Sequence, residues 1–341
     1  MPNMLPTILL LLASSLPTPA PGTMASGYLD VPKGVDEATR IPVTVIHGAR
    51  PGKVLGLLAG MHGYEYSSIL ALQRLRTQID PKQLTGTVIL VHVSNMPSFL
   101  GRTIYYSPVD RQNLNRMFPG RADGTVSERI AHAITKEVID KSDYVVDMHS
   151  GDGNESLRPY VYWSPTGNAK VDEESKQMCL AYGLDHIVID NERPRDPAKS
   201  LYASTTATTR GKPAITAESG RMGEVPSGPL LTDEHILQHE RGVLSVMRWL
   251  KMIPGEPEMV KSPLWIDKNV VLRSKSTGIF YAMVKLGETV AEGTLLGYVT
   301  DFFGNKWEEV RAPFGGVVLY IVATPPISAG EPLGMVGHIK E

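Results

Sequence analysis

The sequence holds a single cysteine, Cys179, among 341 residues. No intrachain disulfide can form, and a thiolate zinc site would lack its second thiolate. Within VDEESKQMCLAYGL that cysteine falls on an amphipathic helical pattern, where core packing accounts for it. An excess of one charge is missing as well. Thirty-four Lys and Arg stand against 36 Asp and Glu, a net charge of −2, and the basic residues are scattered. That excludes the electrostatic footprint of a nucleic-acid or anionic-membrane binder. Long apolar runs are absent beyond the N-terminal ILLLLASSL, which is too short to span a bilayer. There is no G-x-S-x-G, so a serine hydrolase of the α/β class would have no nucleophile elbow, and no G-x-G-x-x-G. EHILQHE sets His235 and His239 one helical turn apart, but Ile236 stands where a metalloprotease H-E-x-x-H needs Glu; a solvated helix face is expected. His92 lies inside a strand pattern and reads as a buried, hydrogen-bonded core histidine.

What is present is an ordinary globular composition, 42% hydrophobic and 21% charged, long enough for one large domain and a small one. The opening MPNMLPTILLLLASSLPTPAPGTMASG carries a stretch of the length of a signal-peptide h-region, followed by small residues, with Ala20 and Ala25 as possible cleavage positions. A basic n-region is missing. Residues 1–25 are therefore expected to be a leader or a disordered extension. A leader would send the protein to the periplasm or outside the cell; without one it would be cytoplasmic.

From residue 26 to 253, strand and helix patterns alternate. RIPVTVIHG alternates as a strand, while KVLGLLAG, TGTVILVHVSN and SDYVVDM are continuous apolar runs, as strands buried on both faces of a mostly parallel sheet should be. SSILALQRLRTQ, SERIAHAITKEVIDKS, DEESKQMCLAYGL and HILQHERGVLSVMRWLKM have helical spacing; LDHIVID and KPAITAE read as further strands. This predicts an α/β sandwich with helices on both sides of the sheet. The Pro-rich IPGEPEMVKSP reads as a linker, and residues 254–341 change to short strands punctuated by Gly and Pro. Their two halves share a theme, LGETVAEG then LLGYV and TPPISAGEP then LGMVG. They resemble the barrel-sandwich fold of biotinyl and lipoyl domains, with no Lys at an obvious hairpin tip. A structural appendage that helps shape the active-site mouth is expected.

Candidate chemistry lies where apolar strands stop. GMHGYEYSS follows VLGLLA and offers His62 and Glu65, a weak pair by itself. SDYVVDMHSGDG offers His149, with Asp147 two residues earlier able to hold the imidazole from behind. In an open α/β sheet, ligands gather beyond the carboxyl ends of strands. Two His and one Glu, with a position left open, make a hydrolytic zinc set. KPAITAESG adds Glu218 at a third strand end, suited to take a proton from water and pass it to a leaving nitrogen. DRQNLNRMFPG supplies Asn115 and Arg116, with Arg102 upstream in FLGRTIYYSP; arginine grips carboxylates and stabilises oxyanions. Phe99, Leu100, Met117 and Phe118 flank this loop and should pull part of it inward.

HGYE, NLNRMFPG, DMHSGDG and AESG, in this order over roughly residues 22 to 252, resemble the succinylglutamate desuccinylase/aspartoacylase family of the zinc carboxypeptidase superfamily. A trailing β domain is also typical of that family. The resemblance implies a zinc carboxypeptidase-like fold with one Zn2+ per chain, held by His62, Glu65 and His149. It implies Glu218 as general base, Asn115 and Arg116 as contacts for a substrate carboxylate, and Arg102 at the oxyanion, with Arg111 as a competitor. The implied reaction removes an N-acyl group from an amino acid or a related small amine. A carboxypeptidase or cell-wall peptide amidase would use the same zinc set, and a non-catalytic binding protein would be expected to have lost one of these residues.

Overall fold

The computed structural model describes residues 16–220 and 234–340; the apolar stretch of the expected leader lies largely outside them. Within them, Ala20 accepts a hydrogen bond from Thr23 and Ala25 is paired with Val45 inside the first hairpin. That hairpin is β1 (Thr23–Val31) with β2 (Thr39–His47), followed by β3 (Arg50–Ala59), α1 (Tyr66–Gln78), β4 (Thr85–Val91) and α2 (Met96–Gly101). Next come α3 (Val126–Ile134), lengthened by a π-type turn over Thr135–Ile139, then β5 (Tyr144–His149), β6 (Glu155–Leu157), β7 (Tyr160–Trp163) and α4 (Ala169–Tyr182). β8 (His186–Ile189), α5 (Ala203–Thr208), β9 (Ala214–Glu218) and α6 (Glu234–Trp249) complete the α/β part.

The predicted apolar runs sit at the centre of the sheet. β4, β3, β5 and β9 are parallel neighbours, with β1 and β2 added antiparallel at one side and β7 antiparallel to β9. Leu55, Leu57, Val146 and Met148 project to a core shared with α1, α4 and α6. Leu58 and Val145, one residue out of phase, project to a second core with α3 and α5. Burial on both faces is why these strands do not alternate in sequence. Local signals set the helix limits. Thr125 and Glu128 form a capping box at α3, and Asn168 caps α4, which stops at Gly183 in the left-handed region at φ +87°. Cys179 is buried in the α4 core, as its pattern predicts. His92 is buried with Nε2 2.8 Å from Thr44 Oγ1.

The C-terminal region is all-β: β10 (Leu264–Arg273), β11 (Gly278–Ala282), β12 (Thr289–Val290), β13 (Leu295–Thr300), β14 (Lys306–Arg311), β15 (Gly316–Val322), β16 (Pro326–Ile327) and β17 (Pro332–Ile339). Only β14, β13, β11 and β16 form a separate antiparallel sheet. β10 pairs in parallel with β8, and β17, β15 and β12 follow, so the main sheet runs on to 13 strands. β6 crosses over to pair with β15. The small region is thus hydrogen-bonded into the large one at two places.

Candidate active site

Three parallel strands end side by side, with Ala59 of β3 beside Met148 of β5 and His149 of β5 beside Glu218 of β9. After β3 the chain turns at Gly60, whose φ of +68° is left-handed. His62 and Glu65 occupy the loop that follows. Gly63 is needed there for a reason the sequence did not show. A Cβ would fall 2.2 Å from the Ser98 carbonyl oxygen, so the loop can seat on α2 only without one. Tyr64 covers Gly153, and Tyr66 meets Phe99 edge-on, which gives both aromatic neighbours of the ligands a packing role.

The two imidazoles face one carboxylate. His62 Nδ1 lies 2.6 Å from Glu65 Oε1, and His149 Nδ1 lies 2.8 Å from Glu65 Oε2. One ligand atom from each of the three residues can be chosen so that all lie within 4.8 Å of one another. The far ring nitrogens are held by other groups. His62 Nε2 is 3.0 Å from Asn113 Oδ1, which also accepts the Asn115 N–H at 2.9 Å, so the imidazole must donate from Nε2. His149 Nε2 is 3.2 Å from Asp147 Oδ1, on a fully buried carboxylate. Asn113 thereby fixes the His62 tautomer with an Nδ1 lone pair on the Glu65 side, while His149 Nε2 has both Asp147 Oδ1 and the Asn115 amide nitrogen within reach and turns Nδ1 toward Glu65. Glu65 Oε2 is buried and makes no aligned hydrogen bond despite its nearness to His149. Two nitrogens and a carboxylate oxygen of this kind suit zinc.

Electrostatics agree with a site built for a cation. Burial alone would depress both histidines, yet Glu65 raises His62, and Asp147 with Glu65 raises His149. Glu65 goes the other way: burial disfavours its charge, but the two imidazoles hold it well below the usual carboxylate range. Glu218 accepts no hydrogen bond from a described residue, and burial pushes it up to about 8. Glu155, across the cavity, is pushed up to about 7 by burial and by Asp152. Folded-state values raised above their unfolded ones mean that the metal-free fold binds protons the unfolded chain releases. With Glu155 at about 7 and Glu218 at about 8 against 4.5 when unfolded, its stability is expected to fall between roughly pH 4.5 and 8, while zinc affinity, which requires the imidazole protons to leave, rises with pH. Thermal melts of chelator-treated protein and zinc titrations across that range check both slopes.

The cavity over the triad has a volume of about 420 Å³ and includes Glu218, Asn115 and Arg116. Asn115 is committed to the protein: Nδ2 lies 3.1 Å from His149 Nε2 and Oδ1 accepts the Ala203 N–H at 3.0 Å. Arg116 stacks on the Tyr202 ring at 4.4 Å and has no acidic partner among the described residues. Arg193, in a loop that sequence analysis left unread, stacks on the same ring at 3.5 Å while pairing with Asp190. Arg102 is not brought in. It ends α2 in a left-handed conformation, exposed, in a separate surface cleft with Tyr66 and Phe99, and Arg111 does not line the cavity either. His239 also departs from expectation. It is fully buried, not solvated, and bonds Tyr182 Oη and the carbonyls of His149 and Ser219, bracing the ends of β5 and β9.

Residues 51–250 match the model of the succinylglutamate desuccinylase/aspartoacylase catalytic domain. The chain belongs to the succinylglutamate desuccinylase/aspartoacylase family. It is an amide-bond hydrolase of the deacylase type. All seven residues singled out in the sequence fall inside the matched span. A similar relative is the N-alpha-acetyl-L-2,4-diaminobutyric acid deacetylase of Halomonas elongata, 29% identical over 326 residues and 92% of either chain. Among solved structures, a succinylglutamate desuccinylase from Silicibacter sp. superposes with a TM-score of 0.80 at 26% identity, over 93% of this chain and 95% of that one. The product-bound ectoine utilization protein EutE (DoeB) from Ruegeria pomeroyi also gives 0.80 at 26% identity, over 92% and 95%. Other parts of the cavity lie outside the family-matched span, since Arg273, Tyr320, Pro332 and Met335 of the C-terminal strands line it.

Proposed function

We propose that this family member is a zinc-dependent deacylase that hydrolyses the amide bond between a small acyl group and the nitrogen of an amino acid. The observation that carries this is the convergence of His62, Glu65 and His149 at adjacent strand ends, with the Glu218 carboxylate in the same cavity. Zinc, when bound by those three side chains, supplies Lewis acidity that polarises an acyl carbonyl and acidifies water. The chain's own residues do the rest. Glu218 takes a proton from the attacking water and returns it to the nitrogen as the C–N bond breaks. Asp147 and Asn113 keep the imidazoles aligned. Arg116 and Arg193, stacked on one tyrosine, hold the substrate carboxylate between two guanidinium groups.

The H. elongata relative, named for an N-acetyl diamino acid, supports acetylated amino acids as the substrate class. Peptide hydrolysis is disfavoured by the C-terminal strands, which add a wall to a cavity of about 420 Å³. A screen of N-acetyl and N-succinyl amino acids beside short peptides, read by free-amine release from zinc-loaded protein, tests the assignment. Turnover of the acyl amino acids is expected; turnover of peptides alone would overturn it.

A further inference from the structure

The cavity is lined by both cations and carboxylates. Two of its cations, Arg116 and Arg193, share the Tyr202 ring; a third, Arg273, is exposed at the rim near Tyr320 and donates to the Gly330 carbonyl. Its carboxylates gather around the triad, and one of them has no part in the mechanism above. Glu155 begins β6, in register with Val322 of β15, and is buried. Its Oε1 accepts the Tyr105 hydroxyl at 2.6 Å and its Oε2 accepts the Asp152 N–H at 3.2 Å. No Lys, Arg or His among the described residues pairs with it. A carboxylate buried without a cation is costly, and the fold keeps it at the wall of a substrate cavity. Aromatic rings surround the same wall. Tyr105 hydrogen-bonds Glu155, while Tyr320 leaves β15 opposite Leu157, on the face that Glu155 shares. A carboxylate flanked by tyrosine rings is a combination that receives ammonium groups.

We infer that Glu155 determines specificity by receiving a free ammonium group of the substrate, so that the enzyme selects N-acyl diamino acids over N-acyl amino acids with apolar side chains. The inference rests on the deacylase reading above and deepens it. The Arg116 and Arg193 pair takes the α-carboxylate, the triad the acyl carbonyl, and Glu155 the side-chain ammonium.

The test compares Nα-acetyl-L-2,4-diaminobutyrate with Nα-acetyl-L-norvaline, in which a methyl group replaces the ammonium, on zinc-loaded wild-type protein and Glu155→Gln. Wild type should favour the diamino substrate in kcat/KM by about 10- to 100-fold. Glu155→Gln, whose amide oxygen can still accept from Tyr105, should lose that preference while still hydrolysing the norvaline substrate. Its thermal melt and zinc content, matching wild type, report that the variant is folded. The inference is overturned if wild type shows no preference, if the variant keeps it, or if the variant loses both substrates equally. Failure of the deacylase reading looks different: wild type would then hydrolyse neither these two nor any other N-acyl amino acid.

Discussion

Glu218→Gln should lower deacylation by on the order of 10³-fold while each chain still binds one zinc. The substitution keeps the volume and polarity of the side chain and removes only its ability to take and return a proton. The position is suited to that task. Glu218 closes β9 beside His149, outside the ligand set, and accepts no hydrogen bond from a described residue that would stabilise its charge. Burial holds it near 8 in the metal-free fold, and a dication at the neighbouring triad would draw it down. A base that must accept a proton from water and then release it to a nitrogen works best near the operating pH. Steady-state kinetics with metal analysis of the same preparation decide the matter. Activity retained within a few-fold of wild type would move the base elsewhere.

His62→Ala acts on the other half of the chemistry and should remove the metal itself. Loss of one of three protein ligands is expected to weaken zinc by on the order of 10³-fold or more, and turnover should vanish with it. Asp147→Asn provides the graded comparison. It leaves all three ligands but weakens the grip on the His149 ring, and a loss of about 10- to 100-fold in zinc affinity is expected. Competitive chelator titration measures both. Equal affinities for His62→Ala and wild type would sink the assignment of the triad.

The sequence carried the central sheet clearly because strands buried on both faces leave unbroken apolar runs, as VLGLLA and YVVDM do. It carried the convergence of the candidate site residues because parallel strands deliver their carboxyl ends to one edge, so His62, Glu65, His149 and Glu218 needed only to stand at strand ends. Long-range partners were harder to see. Asn113 orients His62 from 51 residues away. Arg193 becomes a cavity residue only because Tyr202 is placed to stack it. Arg102 sat among promising neighbours, but the left-handed residue that ends α2 turns it outward, and backbone handedness at a non-glycine leaves little trace in sequence. His239 reads as surface from its i, i+4 spacing with His235, yet the carbonyls of two strand ends give it buried partners. β6 and β7 went unrecognised because each is short and finds its partners in distant strands.

The hydrogen bonds that carry the main sheet from β8 into β10 and on to β17 also order events in time. His62 and Met335 line the same cavity although 273 positions separate them (335 − 62). During synthesis the strand ends that carry His62, Glu65, His149 and Glu218 are complete once β9 has formed, before the C-terminal strands that line the other side of the pocket. The proposed zinc ligands are therefore assembled early, and the cavity gains its last wall only when β17 pairs with β10 and β15.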